Sequence, residues 1–244
     1  MSQCSDDVLY IVIPAYNEEE NICSCIDDWY PVVEAHSGNG HSRLVIVNDG
    51  SKDSTSAIVE KKMQDMPLLR LETKKNGGHG SSVLFGYRLA IKEGADFVFQ
   101  TDSDGQTNPR EFDAFWDSRN DYDAVIGNRL VRGDGKDRKF VENTVCALLK
   151  LFFGVKVEDA NAPYRLMKTS VVSKYINRLP ENYNLPNIMF TTYFVYYGEK
   201  VKFIPITFKP RAAGVNTINV KRIVSIGWNA LGDFARFRKD MKRG

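Results

Sequence analysis

The sequence predicts an α/β fold with a mainly parallel central sheet flanked by helices. Three observations predict it. Short continuous apolar runs, the mark of strands buried on both faces, alternate with helix-length segments through the first half of the chain. Each run ends in a cluster of turn-forming and charged residues. No repeat, low-complexity tract or linker interrupts the 244 residues, whose length and 43% apolar content suit one soluble globular domain.

The elements follow in order. Val8–Pro14 (VLYIVIP) is a doubly buried strand, and Glu18–Trp29 a helix with Asn17 as its expected cap. Arg43–Asn48 is the second strand. Asp53–Met66 is a helix capped by Asp53 or Ser54, Leu68–Thr73 a strand, and Ser81–Glu93 a helix. Ala95–Thr101 is the fourth strand. Pro109–Ser118 is a helix with proline in its first turn, and Ala124–Gly127 closes the regular series. Beyond Gly127 the alternation loosens. Arg138–Phe153, Thr169–Ile176 and Asn187–Tyr197 read as helices. Lys200–Phe208 alternates like an exposed or edge strand, with Pro205 arguing against a central position. Ile218–Lys239 is the final helix.

Composition narrows the function classes. The chain has 33 basic and 31 acidic residues, a balance unlike that of a nucleic-acid binder. The charge is segregated, however. From Val201 onward there are ten Lys/Arg and two Asp/Glu, against 23 and 29 in the first 200 residues. The four cysteines (Cys4, Cys23, Cys25 and Cys146) match no zinc or CxxC spacing, so free thiols in a reducing cytoplasm are expected. No signal-like or membrane-spanning apolar segment is expected. In the last helix Ile223, Ile226, Ala230, Phe234, Phe237 and Met241 recur at steps of three and four, and basic residues crowd the end. Two readings stand: a helix packed on the core, or an interfacial helix in peripheral contact with an anionic membrane face.

In open parallel sheets ligands bind beyond the carboxyl ends of the strands. Those ends read Pro14-Ala15-Tyr16-Asn17-Glu18, Asn48-Asp49-Gly50-Ser51, Lys75-Asn76-Gly77-Gly78-His79-Gly80 and Asp102-Ser103-Asp104-Gly105-Gln106. Carboxylates along one sheet edge are unfavourable unless a cation binds there. Asp102 and Asp104, two residues apart just past a buried strand, suit a hard divalent cation, Mg²⁺ or Mn²⁺, completed by substrate phosphates. The glycine loop is either a flexible turn or a phosphate-facing loop before a helix N-terminus. It is neither a Walker A loop nor the GxGxxG fingerprint. Asp49 either contacts a base or ribose or serves an Asp-Gly turn. His79 reads as a polar wall rather than a general base.

Taken together, in their order and spacing, these motifs resemble glycosyltransferase family 2, with its GT-A nucleotide-diphospho-sugar transferase fold. The matching stretches run from Pro14 to Glu19, Asn48 to Thr55, Lys75 to Gly80, and Asp102 to Gln106 with Pro109. They cover about the first half of the chain. Asp104-Gly105-Gln106, Gly127-Asn128-Arg129 and Arg211 to Asn216 resemble the dolichol- and polyprenyl-phosphate sugar transferases of that family. The resemblance implies one catalytic domain. Residues 1–130 would bind the nucleotide sugar, 131–217 the acceptor, and 218–244 would form the basic amphipathic helix.

It also implies roles. Pro14, Tyr16 and Glu18 would border the base, and Asp49 the base or ribose. Asn76, Gly77, Gly78 and Ser103 would line the donor site. Asp102, Asp104 and Gln106 would attend the metal. Arg129, Arg138 and Arg211 would face donor or acceptor phosphates. Asp159 would be the base for a hydroxyl acceptor, or would only orient partners if the acceptor is a phosphate. The reaction implied is inverting transfer of one sugar from a UDP- or GDP-sugar to a polyprenyl phosphate. The alternatives are a saccharide or other hydroxyl acceptor, and a catalytically silent binding module. This sequence has Ala162-Pro163-Tyr164 where the subgroup has Ser-Gly-Phe, and Asn216-Thr217 where the subgroup's Arg-x-x-Gly-x-Ser-Lys pattern ends in Ser-Lys. The Gln-x-x-Arg-Trp signature of processive synthases is absent, which favours a single transfer.

Overall fold

The computed structural model describes residues 6–132, 136–210 and 220–242. Seven strands form one sheet. They are β1 (Leu9–Ala15), β2 (Arg43–Asn48), β3 (Leu69–Thr73), β4 (Phe97–Thr101), β5 (Ala124–Arg132), β6 (Tyr164–Lys168) and β7 (Val201–Phe208). Their order is β3-β2-β1-β4-β6-β5-β7. β1 to β4 are mutually parallel. β6 runs antiparallel to both β4 and β5, and β7 lies parallel to β5 at the sheet edge. The mainly parallel sheet and the edge position of Lys200–Phe208 are thus as expected.

Helices cover both faces because successive strand residues point to opposite sides. On one face Leu9, Ile11, Ile13, Leu44, Ile46, Phe97 and Phe99 pack against α1 (Ile22–Ala35), α2 (Thr55–Met63) and α4 (Phe112–Asp117). On the other face Tyr10, Val12, Val45, Val47 and Val98 pack under α3 (His79–Lys92). The same cluster takes in α5 (Lys136–Phe153), α6 (Thr169–Tyr175), α7 (Pro186–Tyr196) and α8 (Val220–Met241). α3 comes close to the sheet at Gly86, where a Cβ would collide with Val12.

Four expectations need correction. α1 begins at Ile22 rather than Glu18, since Asn17 adopts a left-handed φ of 53° and the Glu18 carbonyl accepts from Asn21 and Ile22 N–H in a preceding turn. α1 also runs through Pro31, where burial of Tyr30 and Val33 outweighs the missing donor. β5 extends past Gly127 to Arg132, with a register shift against β7 between Asn128 and Val131. The segment after Pro163, for which the sequence predicts no element, is the interior strand β6, between β4 and β5.

The final helix settles part of the tail. Phe234, Phe237 and Met241 are buried in the core beside Phe152, Phe153, Tyr183 and Tyr193. That part of the apolar stripe packs on protein. Ile223, Ile226 and Ala230 have side chains outside the described ones. Cys23, Cys25 and Cys146 are free thiols. Among the described residues no helix is long and apolar enough to cross a membrane.

Candidate active site

The chain leaves β1 toward β2 and β3 on one side and returns through β4 on the other. The carboxyl ends of β1 and β4 therefore flank the point where the sheet order reverses, the ligand crevice of such folds. The expected residues of the first four strand ends gather there.

The ends of β1 and β2 are tied together. Asn17 N–H donates to Ser51 Oγ at 3.0 Å, and Lys52 N–H returns to Asn17 Oδ1 at 2.9 Å. Glu19 N–H donates to Asp53 Oδ2, Ser54 N–H to Glu19 Oε2, and Glu18 N–H to Thr55 Oγ1. Asp53 also accepts from the Thr55 N–H and hydroxyl; burial would raise its pKa, but these bonds hold it below the ordinary value. Next to this brace Tyr16 is 44% exposed, while Pro14 is buried in β1.

Asp49, at the carboxyl end of β2, is engaged by the chain itself. It is buried, and Oδ1 accepts from Lys74 Nζ at 2.5 Å and from Gly77 N–H at 2.9 Å, while Oδ2 accepts from Gly78 N–H at 2.8 Å. Asp49 therefore builds the glycine loop. Gly78 takes φ 88°, a conformation costly to any other residue. A Cβ at Gly80 would overlap the backbone of Tyr183 and Asn184, so the start of α3 presses directly on that segment. Asn76 and Gly77 are exposed at the loop's crest.

Past β4, Asp102 and Asp104 are half-buried and Ser103 is buried. Asp102 Oδ1 accepts from Gln100 Nε2 at 3.0 Å and lies 3.7 Å from His79 Nε2. Asp104 Oδ1 accepts from the Gln106 N–H at 3.1 Å, closing the turn. Gln106 is buried and its Nε2 donates to the Lys209 carbonyl at 2.8 Å, while Lys209 N–H donates back to the Gln106 carbonyl. Its amide nitrogen thus joins the aspartate turn to the chain leaving β7. Among the described residues no group of three or more His, Cys, Asp or Glu side chains is arranged to hold a metal. Two aspartates at a half-open edge fit a cation that takes its remaining ligands from a diphosphate and water, as Mg²⁺ and Mn²⁺ sites commonly do.

Asp159 and Arg129 face each other instead of solvent. Arg129 Nε and Nη2 donate to Asp159 Oδ2 and Oδ1 at 2.7 and 2.8 Å, and Nη2 donates to Glu142 Oε2 at 3.0 Å. The guanidinium also lies 5.2 Å from the Phe208 ring centroid. Burial alone would raise the Asp159 pKa, but the Arg129 hydrogen bonds and charge hold it below the ordinary carboxylate value. Glu142 goes the other way: burial first, then the Asp159 charge, pushes it up. Glu142 also accepts from the Ala160 N–H at 2.8 Å. Arg138 lies on the backbone of α5 with its side chain outside the described ones, and Arg211 lies outside the described residues.

Sequence reasoning missed Glu142, Gln100, Asn187 and Arg165. Arg165 is fully buried; burial disfavours its charge, and its donors go to the carbonyls of Ala160, Ala162 and Asn187. Isolated polar residues inside otherwise apolar stretches, Gln100 in β4, Arg165 in β6 and Asn187 in α7, were the available signal.

A parallel half-sheet with paired carboxylates at its switch point and a glycine loop at a neighbouring strand end defines an open-sheet α/β protein covered by helices on both faces. The chain belongs to glycosyl transferase family 2, whose family model matches residues 10–197. It is 25% identical to a polyprenol monophosphomannose synthase of Mycolicibacterium smegmatis, over 96% of this chain and 89% of that one. It is 23% identical to an undecaprenyl-phosphate mannosyltransferase of Micrococcus luteus, over 83% and 84%. In three dimensions it resembles glucosyl-3-phosphoglycerate synthase from Mycobacterium tuberculosis, solved with UDP. That match has a TM-score of 0.68 and 15% identity, over 96% of this chain and 80% of that one. The same enzyme solved with Mn²⁺, UDP-glucose and glycerol 3-phosphate gives a TM-score of 0.63 at 16% identity, over 94% and 76%. The fold is GT-A, and the protein is a family 2 glycosyltransferase.

Proposed function

We propose that the protein transfers one sugar from a UDP- or GDP-sugar to a polyprenyl phosphate, with inversion at the anomeric carbon. The names of its relatives in Mycolicibacterium and Micrococcus support this acceptor class. The single observation that carries it is the state of Asp159. A hydroxyl acceptor needs a base, whereas Asp159 has both oxygens on Arg129 and a lowered pKa. A phosphate acceptor is already ionised at neutral pH and needs no base. Its oxygen attacks the anomeric carbon as the bond to the nucleoside diphosphate breaks, and the electron pair leaves with the diphosphate.

Asp102 and Asp104 would hold a divalent cation, Mg²⁺ or Mn²⁺, which would offset the charge on the departing diphosphate. Tyr16, Pro14 and Glu18 would seat the base. Ser103, Asn76, Gly77 and Gly78 would line the diphosphate, with Asp49 holding the loop. Gln106 would fix the aspartate turn. Arg129, Arg138 and Arg211 would complement phosphate charge, and Asp159 would orient Arg129. The first half of the chain would carry the donor, and residues 131–217 the acceptor. The basic end of α8 would rest on an anionic membrane face near the acceptor. The test is product analysis with a panel of UDP- and GDP-sugars, Mn²⁺ and a short polyprenyl phosphate. The expected product is a lipid-linked monosaccharide of inverted configuration. Transfer only to hydroxyl acceptors would overturn the acceptor assignment.

A further inference from the structure

Among the described residues, a connected set of buried polar side chains interrupts the largely apolar layer between the sheet and helices α3 and α7. Gln100 on β4 and Arg165 on β6 are register partners, and both are fully buried. Asn187 in the first turn of α7 and Tyr87 on α3 close the set, also buried. A buried amide left without partners is destabilising, so polar residues persist in such a layer only when their bonds are met.

These bonds run in one direction. Tyr87 Oη donates to Asn187 Oδ1 at 3.4 Å, Asn187 Nδ2 donates to Gln100 Oε1 at 2.9 Å, and Gln100 Nε2 donates to Asp102 Oδ1 at 3.0 Å. The Asp102 carboxylate oxygen accepts, so the Gln100 amino group is the end that meets it, and the Gln100 oxygen is left to accept from the Asn187 amino group. The Asn187 oxygen then faces the Tyr87 hydroxyl, which donates to it. The Asn187 carbonyl is pinned by Arg165 Nη1 at 3.0 Å and Thr191 Oγ1 at 2.8 Å, which fixes where α7 begins.

We propose that Asn187 and Gln100 are positioning residues for Asp102. Through them, helix α7 sets the orientation of one carboxylate at the donor site and keeps its outer oxygen turned toward the bound diphosphate and cation. The inference rests on the donor-site reading given above. Gln100 orients Asp102 without adding charge, which a carboxylate or lysine at position 100 would do. Partners one bond removed from a metal-binding carboxylate typically change metal affinity by about 10–100-fold when lost.

The test measures UDP and GDP binding by calorimetry across a Mn²⁺ titration, alongside Mn²⁺ half-saturation of turnover. Gln100→Met keeps length and loses both hydrogen bonds, and should raise the Mn²⁺ half-saturation about 10-fold or more with little change in turnover at saturating Mn²⁺. Asn187→Ser loses the bond to Gln100 but keeps the backbone carbonyl that receives Arg165. It should shift the same quantity in the same direction, and it serves if Gln100→Met does not fold. The double substitution should add nothing to Gln100→Met, because the two act in series. Mn²⁺-dependent binding that is equal in the unaltered and substituted chains overturns the positioning role alone. Absence of Mn²⁺-dependent nucleotide binding in the unaltered chain overturns the donor site and the positioning role together.

Discussion

Replacing Asp159 by asparagine exposes the second carboxylate behind it. In the folded chain Asp159 grips the Arg129 guanidinium through both oxygens, and Glu142 touches it through one. Glu142 is held toward its protonated form by burial and by the Asp159 charge. Asp159→Asn removes that charge, which shifts Glu142 back toward its ionised form and leaves it as the carboxylate facing Arg129. The substitution then loses about one charge-assisted hydrogen bond, roughly 1.5–3 kcal/mol. Glu142→Gln alone leaves the two-point Asp159 pair intact and should cost less than about 1 kcal/mol at neutral pH. Asp159→Asn with Glu142→Gln leaves a buried guanidinium among neutral amides, and should cost about 3–5 kcal/mol. Urea unfolding of the three variants at neutral pH, compared at equal m-value, measures the cycle. The double variant should exceed the sum of the singles by about 1 kcal/mol or more. Additivity within about 0.5 kcal/mol would refute the idea that Glu142 is the reserve counter-ion.

The same pair gives a pH signature. Glu142 has a raised folded-state pKa, so its contribution to stability is present below its unfolded pKa and lost as pH rises through the raised value. Asp159 has a lowered one, so its contribution holds above its unfolded pKa and is lost as pH falls through the lowered value. Glu142→Gln should therefore remove the loss of stability on the alkaline side of the carboxylate range, as thermal melts at a series of pH values will read. Asp104→Asn should abolish turnover while melting as the unaltered chain does; retained activity would refute its place at the diphosphate. Gly80→Ala should destabilise by about 1–3 kcal/mol, because its methyl overlaps the Tyr183 and Asn184 backbone. Phe234→Ala should cost about 3–5 kcal/mol by denaturant unfolding, since the ring is buried between Phe152 and Phe153.

Much of this was legible because strand periodicity and strand ends speak locally. Val8–Pro14, Arg43–Asn48 and Ala95–Thr101 are apolar on both faces, and each delivers its polar end to the crevice. β6 escaped because its alternation is hidden: Tyr164 and Leu166 face one layer, while the other holds Met167 and a buried arginine. Charge on Arg165 reads as exposure unless its carbonyl partners are known, and those come from residues 160, 162 and 187. Asp49 was found but its partners were not, since Lys74, Gly77 and Gly78 lie some 25–29 positions away. Asp159 and Arg129 were found separately. Their mutual grip depends on the long β5 and on the return of the chain through β6, which no local pattern encodes.

The brace between the ends of β1 and β2 has a consequence for ligand affinity. Asn17, Glu19, Ser51, Asp53 and Thr55 have already met one another's hydrogen-bonding needs before any nucleotide arrives. Ordering a free loop at the moment of binding would cost about 1–2 kcal/mol per residue in backbone freedom. Here that cost is met once, during folding, by a rigid ledge between two buried strands. On the proposed donor site, a base laid against Tyr16 would meet a surface that need not wait for it, and its contact energy would go into residence time rather than into building the seat.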